Sequence, residues 1–202
     1  MTATLQEALR HHQAGRLRDA ARLYQAVLKA HPRNADALHF LGLIAHQDGH
    51  HARARTLLAR ALKERPQDPR LLNVFAGILR AEGPLEEAAA HLRAALAPAP
   101  KDATVLTNLG LILQDLGDST AALRAYDQAL AVEPDQAEAR ANRAIVLLQQ
   151  GRFEDGWREY EWRWRVPGFT TPARSFGVPA WDGAPLSGRT LFVHAEQGLG
   201  SA

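Results

Sequence analysis

The stretch ATVLTNLGLILQDLGDSTAALRAYDQALAVEPDQ, residues 103–136, decides the fold because its pattern recurs along most of the chain. One glycine returns every 34 residues, at Gly15, Gly49, Gly83, Gly117 and Gly151. A small residue follows five places later and a large apolar one four places after that, as at Ala122 and Tyr126. A repeat of this length is typical of stacked helix–turn–helix units, which bury their apolar faces only against one another.

Each recurrent residue has a mechanical reason. The glycine takes a positive φ readily, so it ends the first helix of its unit. The small residues let two helices approach closely, and the large apolar residue fills the gap to the next pair. Proline closes four units, at Pro32, Pro66, Pro100 and Pro134. Because proline has no backbone N–H to donate, it stops the second helix before the next unit begins.

This pattern resembles the tetratricopeptide repeat (TPR) family. The resemblance implies an all-α fold, a right-handed α-α superhelix (TPR solenoid) of five helix-turn-helix repeats over residues 1–166. The repeats are expected at about 1–34, 35–68, 69–102, 103–136 and 137–166. The fifth copy departs from the pattern, since Arg140 and Arg143 stand where the three copies before it have apolar residues.

The composition excludes several classes of protein. The 202 residues carry 24 Lys and Arg against 22 Asp and Glu, a formal net charge of +2. No long basic run occurs, so we predict binding neither to nucleic acid nor to membranes. The chain has no cysteine, which excludes disulfides and thiolate metal sites. The polar N-terminus, with His11 and His12, lacks the apolar core of a signal peptide, and we predict a cytoplasmic protein.

The helical pattern fails after Arg165, where glycine and proline recur at short intervals. We predict an irregular linker over residues 167–189 and then one lone strand over residues 190–195, which has no partner strand in the chain. Gly198 and Gly200 follow that strand in a turn of the kind that cradles phosphates. Two glycines alone are a weak signal for a nucleotide site.

Three blocks near the end resemble the junction in bacterial repeat proteins that carry a glycosyltransferase-like domain of two Rossmann-like halves. The blocks are GRFEDGWREYEWRW at 151–164, PAWDG at 179–183 and LSGRTLFVHAEQGLG at 186–200. The resemblance implies that residues 190–202 begin such a domain, truncated here, and that the full-length protein is a nucleotide-sugar-dependent transferase. Similar transferases have an aspartate after Gly-Leu-Gly. This chain has Ser201, so either the chain was truncated near this point or the site is inactive.

The first helices of such solenoids line an inner groove. By register, the groove residues are His12, Asp36, His39, Leu43, His46, Asn73, Arg80, Thr107, Asn108, Leu111, Gln114, Asp115, Asn142 and Gln149. Asn108 and Asn142 hold the same place in consecutive units and resemble the asparagine ladder of O-linked N-acetylglucosamine transferases, which holds an extended peptide. An amide suits that role because it donates and accepts at once. Phe40 and Val74 interrupt the ladder in earlier units, and solvated polar residues on a groove wall are the alternative.

The histidines do not predict a metal site, and we expect no metal and no cofactor. His39 and His46 lie seven residues apart on one predicted helix. That separation is roughly 10 Å, too far for a single zinc ion. The pairs His11–His12 and His50–His51 are interpreted as surface residues, with His46 clustered near the second pair.

The aromatic run near the end predicts an amphipathic helix. Phe153, Trp157, Tyr160 and Trp164 are spaced four, three and four apart, so they share one helix face. The expected i,i+4 ion pairs are Glu154–Arg158, Glu159–Arg163 and Glu161–Arg165. We interpret this helix as docking on the fourth unit and on the missing domain, with stacking on nucleic-acid bases as the alternative.

Three hypotheses for function follow. The sequence shows no paired carboxylates in a cleft, no nucleophile with a base and no metal cluster, so we predict no catalytic residues in this chain. The first hypothesis is a non-enzymatic module that binds a protein or an extended peptide in the groove. The second is the acceptor-recognition region of a nucleotide-sugar-dependent glycosyltransferase. The third is self-association through the uncapped C-terminal end.

Overall fold

The computed structural model describes residues 3–169, 176–179, 181 and 184–192. Within them the chain forms five consecutive helix pairs followed by one 3-10 helix. The first helices are α1 (Ala3–Gln13), α3 (Ala35–Gln47), α5 (Pro69–Glu82), α7 (Ala103–Asp115) and α9 (Ala137–Gln149). The second helices are α2 (Leu17–Ala30), α4 (His51–Glu64), α6 (Leu85–Leu96), α8 (Ser119–Val132) and α10 (Phe153–Tyr160). The 3-10 helix spans Glu161–Arg165.

The punctuation predicted from the sequence is confirmed. All five recurrent glycines have a positive φ, from 72° at Gly15 to 106° at Gly83, and each follows closely after a first helix. The second helices α2, α4 and α8 each end two residues before the recurrent proline. Helix α6 ends earlier, at Leu96, because an additional proline, Pro98, follows it.

The first helices of the middle units are capped by side chains. Asn34 accepts a hydrogen bond from the backbone N–H of Ala37, and Asp68 and Asp102 cap α5 and α7 in the same way. Such caps satisfy backbone donors that the first turn of a helix leaves unpaired. Gln136, at the same register position, makes no cap on α9, so its side chain is available for another contact.

One hydrophobic core runs through the stack, from Leu5 in α1 to Val146 in α9. The closest approach in it brings Gly110 of α7 against the ring of Tyr126 in α8. A Cβ on Gly110 would lie 2.5 to 2.9 Å from three atoms of that ring, so only glycine fits there. Polar contacts on the surface also connect neighbouring units. Arg33 of the first unit pairs with Glu64 of the second at 2.9 Å, while Arg65 and Asp36 pair within the second unit at 2.8 Å.

The two arginines that break the pattern in the fifth unit are both satisfied. Arg143 of α9 forms ion pairs with Glu159 of α10 and Asp127 of α8. Arg140 donates to the backbone carbonyl of Pro134 at 2.7 Å, and its guanidinium lies 4.4 Å from the ring centroid of Trp162. Charged side chains therefore replace apolar contacts at these positions of the last unit.

The predictions for the aromatic run need correction. Helix α10 ends at Tyr160 and continues as a 3-10 helix, whose side chains follow a period of three. Trp164 therefore does not share the face of Phe153 and Trp157, both of which are more than half exposed. The predicted helical stripe is thus wrong beyond Tyr160.

The change of helix type also alters the ion pairs. The predicted pair Glu154–Arg158 is present at 2.9 Å. The predicted pairs Glu159–Arg163 and Glu161–Arg165 do not form. Glu159 pairs with Arg143 instead, and Glu161 with Arg163 at 2.7 Å. Side chains four residues apart are neighbours on an α-helix, and the α-helix ends at Tyr160.

The predicted strand is not found in the part of it that the structure describes. Thr190, Leu191 and Phe192 have irregular backbone, as expected for a segment without a partner to pair with. Residues 193–195 of that prediction lie outside the described residues. The described parts of the predicted linker, including 176–179 and 184–189, are irregular.

Candidate functional site

The candidate site is the first-helix face, defined here as the surface formed by α3, α5, α7 and α9. These helices contact one another in order along the stack. The residues predicted for the groove lie on them, apart from His12 on α1. Contacts across this face join a residue to one 35 positions later, as in Asn73 to Asn108 and Arg80 to Asp115. This separation of 35 residues is one more than the 34-residue period of the sequence.

An amide pair lies near the middle of the first-helix face. The side-chain N–H of Asn108 donates to the side-chain oxygen of Asn73 at 2.9 Å. This contact leaves an acceptor on Asn108 and donors on Asn73 without a hydrogen-bond partner in the described residues. Asn142, which the sequence places in the ladder with Asn108, is half-buried and makes no side-chain hydrogen bond within the same residues. The amides therefore offer donors and acceptors to a bound backbone.

The charged residues predicted for the groove, Asp36, Arg80 and Asp115, all take part in ion pairs. Arg80 of α5 pairs with Asp115 of α7. Asp36 receives both terminal nitrogens of Arg65, at 2.8 and 3.0 Å. The first pair connects neighbouring units and the second lies within one unit, and together they leave little net charge on this part of the face.

Tyr24 of α2 and Tyr126 of α8 extend toward this face. Each contacts a side chain on the first helix of its own unit, and the two contacted residues, His12 and Gln114, hold the same register position. The Tyr126 hydroxyl donates to the side-chain oxygen of Gln114 at 3.1 Å, and the Tyr24 hydroxyl lies 3.5 Å from Nδ1 of His12. Burial raises the pKa of Tyr24 to about 12 and also raises that of Tyr126. Burial lowers the pKa of His12. The groove predictions His12 and Gln114 therefore complete the core as well as facing the site.

An aromatic cluster covers the N-terminal end of the face. Phe40 stacks on Tyr24 with ring centroids 5.5 Å apart and contacts His12 edge-on at 5.6 Å. His39 lies beside Phe40, and its Nε2 is buried with no hydrogen-bond partner among the residues that the structure describes. Burial and the nearby Arg70 lower the pKa of His39. This end of the face is hence apolar, in contrast to the amides at the middle.

A pocket of about 500 Å³ opens between the fourth and fifth units. It is bounded by the first turns of α7, by the connection from α8 to α9 and by the end of the 3-10 helix. Thr107 and Asn108 line it, as predicted for the groove. The buried Thr107 hydroxyl lies 2.9 Å from the carbonyl oxygen of Ala103 and also hydrogen-bonds the side-chain amide of Gln136. The pocket is therefore continuous with the amide pair.

The charge of this pocket is unbalanced. Glu133, Asp135 and Glu138 line it and form no ion pair within the described residues. Arg165 is the pocket's arginine, and its guanidinium lies 4.3 Å from the ring centroid of Trp162. Because Arg165 also has no carboxylate partner in the described part of the chain, the three acids remain available to a basic ligand.

The remaining predicted site residues are placed as follows. Leu43 and Leu111 are half-buried on the first-helix face, and Gln149 is exposed at the end of α9. His46 meets His51 across a turn. Gly198 and Gly200 lie outside the described residues.

Sequence reasoning missed several residues that the structure brings to the site. Gln136 was not predicted because its register position is a helix cap in the units before it. Of the three pocket carboxylates, Glu133 and Asp135 lie in the connection between α8 and α9, where register on a helix gives no guidance, and Glu138 lies in the first turn of α9. Asn73 was assigned to the groove but not to the ladder, since its contact joins residues 35 apart rather than 34.

Within the described residues, no three histidine, aspartate or glutamate side chains converge in a way that could hold a metal ion. The described helices also include none with the length and apolar character needed to cross a bilayer.

The stacked pairs and their shared face define the class of protein, a helical-repeat scaffold for protein interaction. The tetratricopeptide repeat family matches residues 5–69, 47–103 and 107–160. The chain therefore belongs to the tetratricopeptide repeat family, and the resemblance noted from its 34-residue period is confirmed. No curated protein matches the chain.

Solved structures show the same fold. PilF of Pseudomonas aeruginosa superposes with a TM-score of 0.73 at 23% sequence identity, covering 82% of this chain and 76% of PilF. MamA from AMB-1 gives a TM-score of 0.69 at 23% identity, covering 79% of this chain and 95% of MamA. Another MamA structure gives 0.68 at 20% identity, covering 80% and 92%. At these identities the similarity is one of fold.

Proposed function

We propose that the chain binds an extended protein segment along its first-helix face. The observation that carries the proposal is the Asn73–Asn108 pair, which holds its two side chains in place while leaving a donor and an acceptor unused. An extended backbone presents the complementary acceptor and donor at each residue. Leu111 and Ile145 lie one turn further along α7 and α9 and offer apolar contact to its side chains.

The pocket beside Asn108 favours a basic side chain of the bound segment. Three carboxylates, Glu133, Asp135 and Glu138, surround a space large enough for a lysine or arginine side chain. The two acids of the predicted groove, Asp36 and Asp115, are already paired with arginines. Complementary charge mainly sets the specificity and rate of binding, so the basic residue would select and orient the segment.

The test uses fluorescein-labelled peptides about a dozen residues long, in matched basic, neutral and acidic versions, with binding followed by fluorescence anisotropy. Asn108→Ala should weaken binding of the basic peptide by about 1 kcal/mol, or roughly fivefold, since one hydrogen bond to the backbone is lost. Gln128→Ala is the matched control, because it removes an exposed amide from the second helix of the same unit. Equal losses in the two variants would reject the face as the binding site.

The charge of the pocket is tested separately. The triple variant Glu133→Gln, Asp135→Asn, Glu138→Gln should remove the preference for the basic peptide while binding of the neutral peptide persists. Raised salt should also reduce the preference for the basic peptide, because salt screens charges in a pocket that is open to solvent. If the preference survives in the triple variant, the basic side chain binds elsewhere.

A second proposal makes these repeats the acceptor-recognition region of a nucleotide-sugar-dependent glycosyltransferase. It rests on the three sequence blocks between residues 151 and 200 that resemble such a junction. Their division into a solenoid, a linker over 167–189 and the start of a second domain at 190 remains a prediction. Val178 and Trp181 are 65% and 55% exposed, which leaves apolar side chains for a further body to cover.

The transferase proposal is tested on the product of the complete gene. Binding of a nucleotide sugar, measured by calorimetry, and release of the nucleotide on turnover would support it. A complete product that binds no nucleotide sugar would refute the transferase proposal and leave the peptide-binding proposal unaffected.

Self-association through the C-terminal end is tested by light scattering, where finding a monomer would contradict it. The cytoplasmic location also remains a prediction.

A further inference from the structure

Two histidines face each other across the turn between α3 and α4. Nδ1 of His46 lies 3.1 Å from Nδ1 of His51, and the ring centroids are 5.1 Å apart. His46 belongs to the last turn of α3 and faces the site, while His51 is the first residue of α4. Their spacing of five does not put two side chains together on a straight helix, so the turn is what unites them.

The turn that holds this pair is closed by backbone hydrogen bonds. Gly49 has a φ of 78°, a backbone conformation that reverses the chain direction between the helices. The backbone N–H groups of Asp48 and Gly49 donate to Ile44 and His46 at 3.0 Å, and that of His50 donates to Ala45 at 2.8 Å. The two imidazoles are therefore positioned by fixed backbone on both sides, which lowers the cost of ordering them around a ligand.

The distance between the two Nδ1 atoms suits two ligands of one metal ion. Bonds from a divalent zinc ion to imidazole nitrogen are about 2.0–2.1 Å long, so two nitrogens 3.1 Å apart subtend roughly 100° at the metal. That angle lies between the octahedral and tetrahedral values. A direct hydrogen bond would use the lone pair of only one ring, whereas a metal ion uses the lone pairs of both.

We propose that His46 and His51 bind a divalent transition metal of the Zn²⁺, Ni²⁺ or Cu²⁺ class through their Nδ1 atoms. No third ligand-type side chain joins them within the described residues, so the other coordination positions belong to water or to a donor from a bound partner. Imidazole suits these three ions, and their affinity for such a site follows the usual order with Cu²⁺ the strongest. The metal site uses neither the amide pair nor the acidic pocket, so its test does not depend on the outcome of the peptide-binding test.

The corresponding turn of the first unit shows why this site is particular to the second. There the same register positions hold His12 and Leu17, so only one imidazole is present. His50, next to His51 in sequence, is exposed and makes no side-chain hydrogen bond in the described residues. It therefore offers a matched control that removes one imidazole without touching the pair.

The test titrates Zn²⁺ and Ni²⁺ into the full chain without an affinity tag, by calorimetry in a buffer that does not bind metal. His46→Gln and His51→Gln should each weaken binding roughly tenfold or more, since one of only two protein ligands is lost. His50→Gln should bind as the unaltered protein does. Binding that is unchanged in His46→Gln and His51→Gln, or lost equally in His50→Gln, would overturn the site.

A second measurement covers the case in which a variant loses its fold. Nitrogen-15 NMR of the unaltered chain distinguishes the two ring nitrogens directly. Zinc should shift the Nδ1 resonances of His46 and His51 together and leave those of His31 and His50 in place. A shift confined to Nε2 resonances, or spread evenly over the histidines, contradicts coordination by this pair.

Discussion

The fourth and fifth units share one period but are held together by different interactions. In the fourth, Leu109 and Tyr126 are buried and pack helix against helix. In the fifth, the same positions hold Arg143 and Tyr160, and Arg143 joins α9 to α8 and α10 through ion pairs with Asp127 and Glu159. The register of a repeat therefore fixes where a side chain lies but not which interaction it makes there.

The fourth unit relies on apolar packing and the fifth on charged contacts because they differ in the neighbouring helices that pack against them. The fourth unit has a neighbour on both sides, so its apolar side chains are buried by both. Within the described residues no further helix pair covers α10, and Phe153 and Trp157 stay 60% and 58% exposed. The last unit is stabilised instead by guanidinium groups packed on aromatic rings. Arg140 and Arg165, for example, both lie against Trp162.

The largest effect expected is at the tyrosine position. Tyr126→Ala should reduce the free energy of unfolding by about 3–5 kcal/mol, because it empties a fully buried site. Tyr160→Ala, in a half-buried site, should cost roughly half as much. Urea unfolding followed by circular dichroism measures both. Equal costs would mean that the two units are packed alike and would break the comparison.

The ion pairs of the fifth unit give the next effect. Arg143→Leu restores the apolar residue of the fourth unit but leaves Glu159 without its partner in a largely buried site, at a cost of about 2 kcal/mol. Adding Glu159→Ala, which copies Ala125 of the fourth unit, should recover most of that loss. All four tryptophans lie between Trp157 and Trp181, so their fluorescence reports this region. A double variant no more stable than Arg143→Leu would refute the account.

Glycine at position 156, where the fourth unit has Ala122, sharpens the comparison further. A Cβ there would meet side-chain atoms of Leu148 at 2.7 Å and its backbone nitrogen at 3.2 Å. Gly156→Ala should therefore destabilise by about 1–2 kcal/mol despite the better helix propensity of alanine.

Gly77→Ala is the control for that substitution. Nothing lies within 4 Å of a Cβ at Gly77, so alanine there should stabilise α5 by about 0.5–1 kcal/mol. Thermal unfolding of the two variants should move in opposite directions. Destabilisation of both would show that the cost at Gly156 is not the contact with Leu148.

The smallest effect is expected at the cap of α9. Gln136→Asp would give α9 the cap that Asp102 gives α7, worth about 1 kcal/mol, while losing the contact with Thr107. Since Thr107 keeps its bond to Ala103, the net gain should be a few tenths of a kcal/mol. Asp102→Ala, which should lose about 1 kcal/mol, calibrates the measurement. A clear loss in Gln136→Asp would make the Thr107 contact the stronger one.

Much of the fold could be read from local residues. Glycine at position 117 and proline at 134 set the ends of α7 and α8 because each acts on the backbone of its own segment. The end of α10 could not be read in this way. The aromatic spacing from Phe153 to Trp164 suits a continuous helix, but Glu159 pairs with Arg143 of another helix and the chain tightens to a 3-10 helix after Tyr160.

The site was predictable to a similar extent. Asn108 and Thr107 were found from register, since the groove-facing side of a first helix repeats with the period. Asn73 was also assigned to the groove, but its pairing with Asn108 was not predicted, and Gln136 was not predicted at all, because the pairing depends on how neighbouring units are placed against each other. His46 was noted near the pair His50–His51, but its direct contact with His51 was not predicted, because that contact exists only once the turn is closed.

The sequence by itself determined the five units, their boundaries and the small residues between their helices, because period, helix stops and residue size act within about 34 residues of chain. Only the tertiary structure decided which side chains meet across units. The amide pair, the acidic pocket and the facing histidines depend on distances between separate segments, and the chain reaches those distances only when the helices pack.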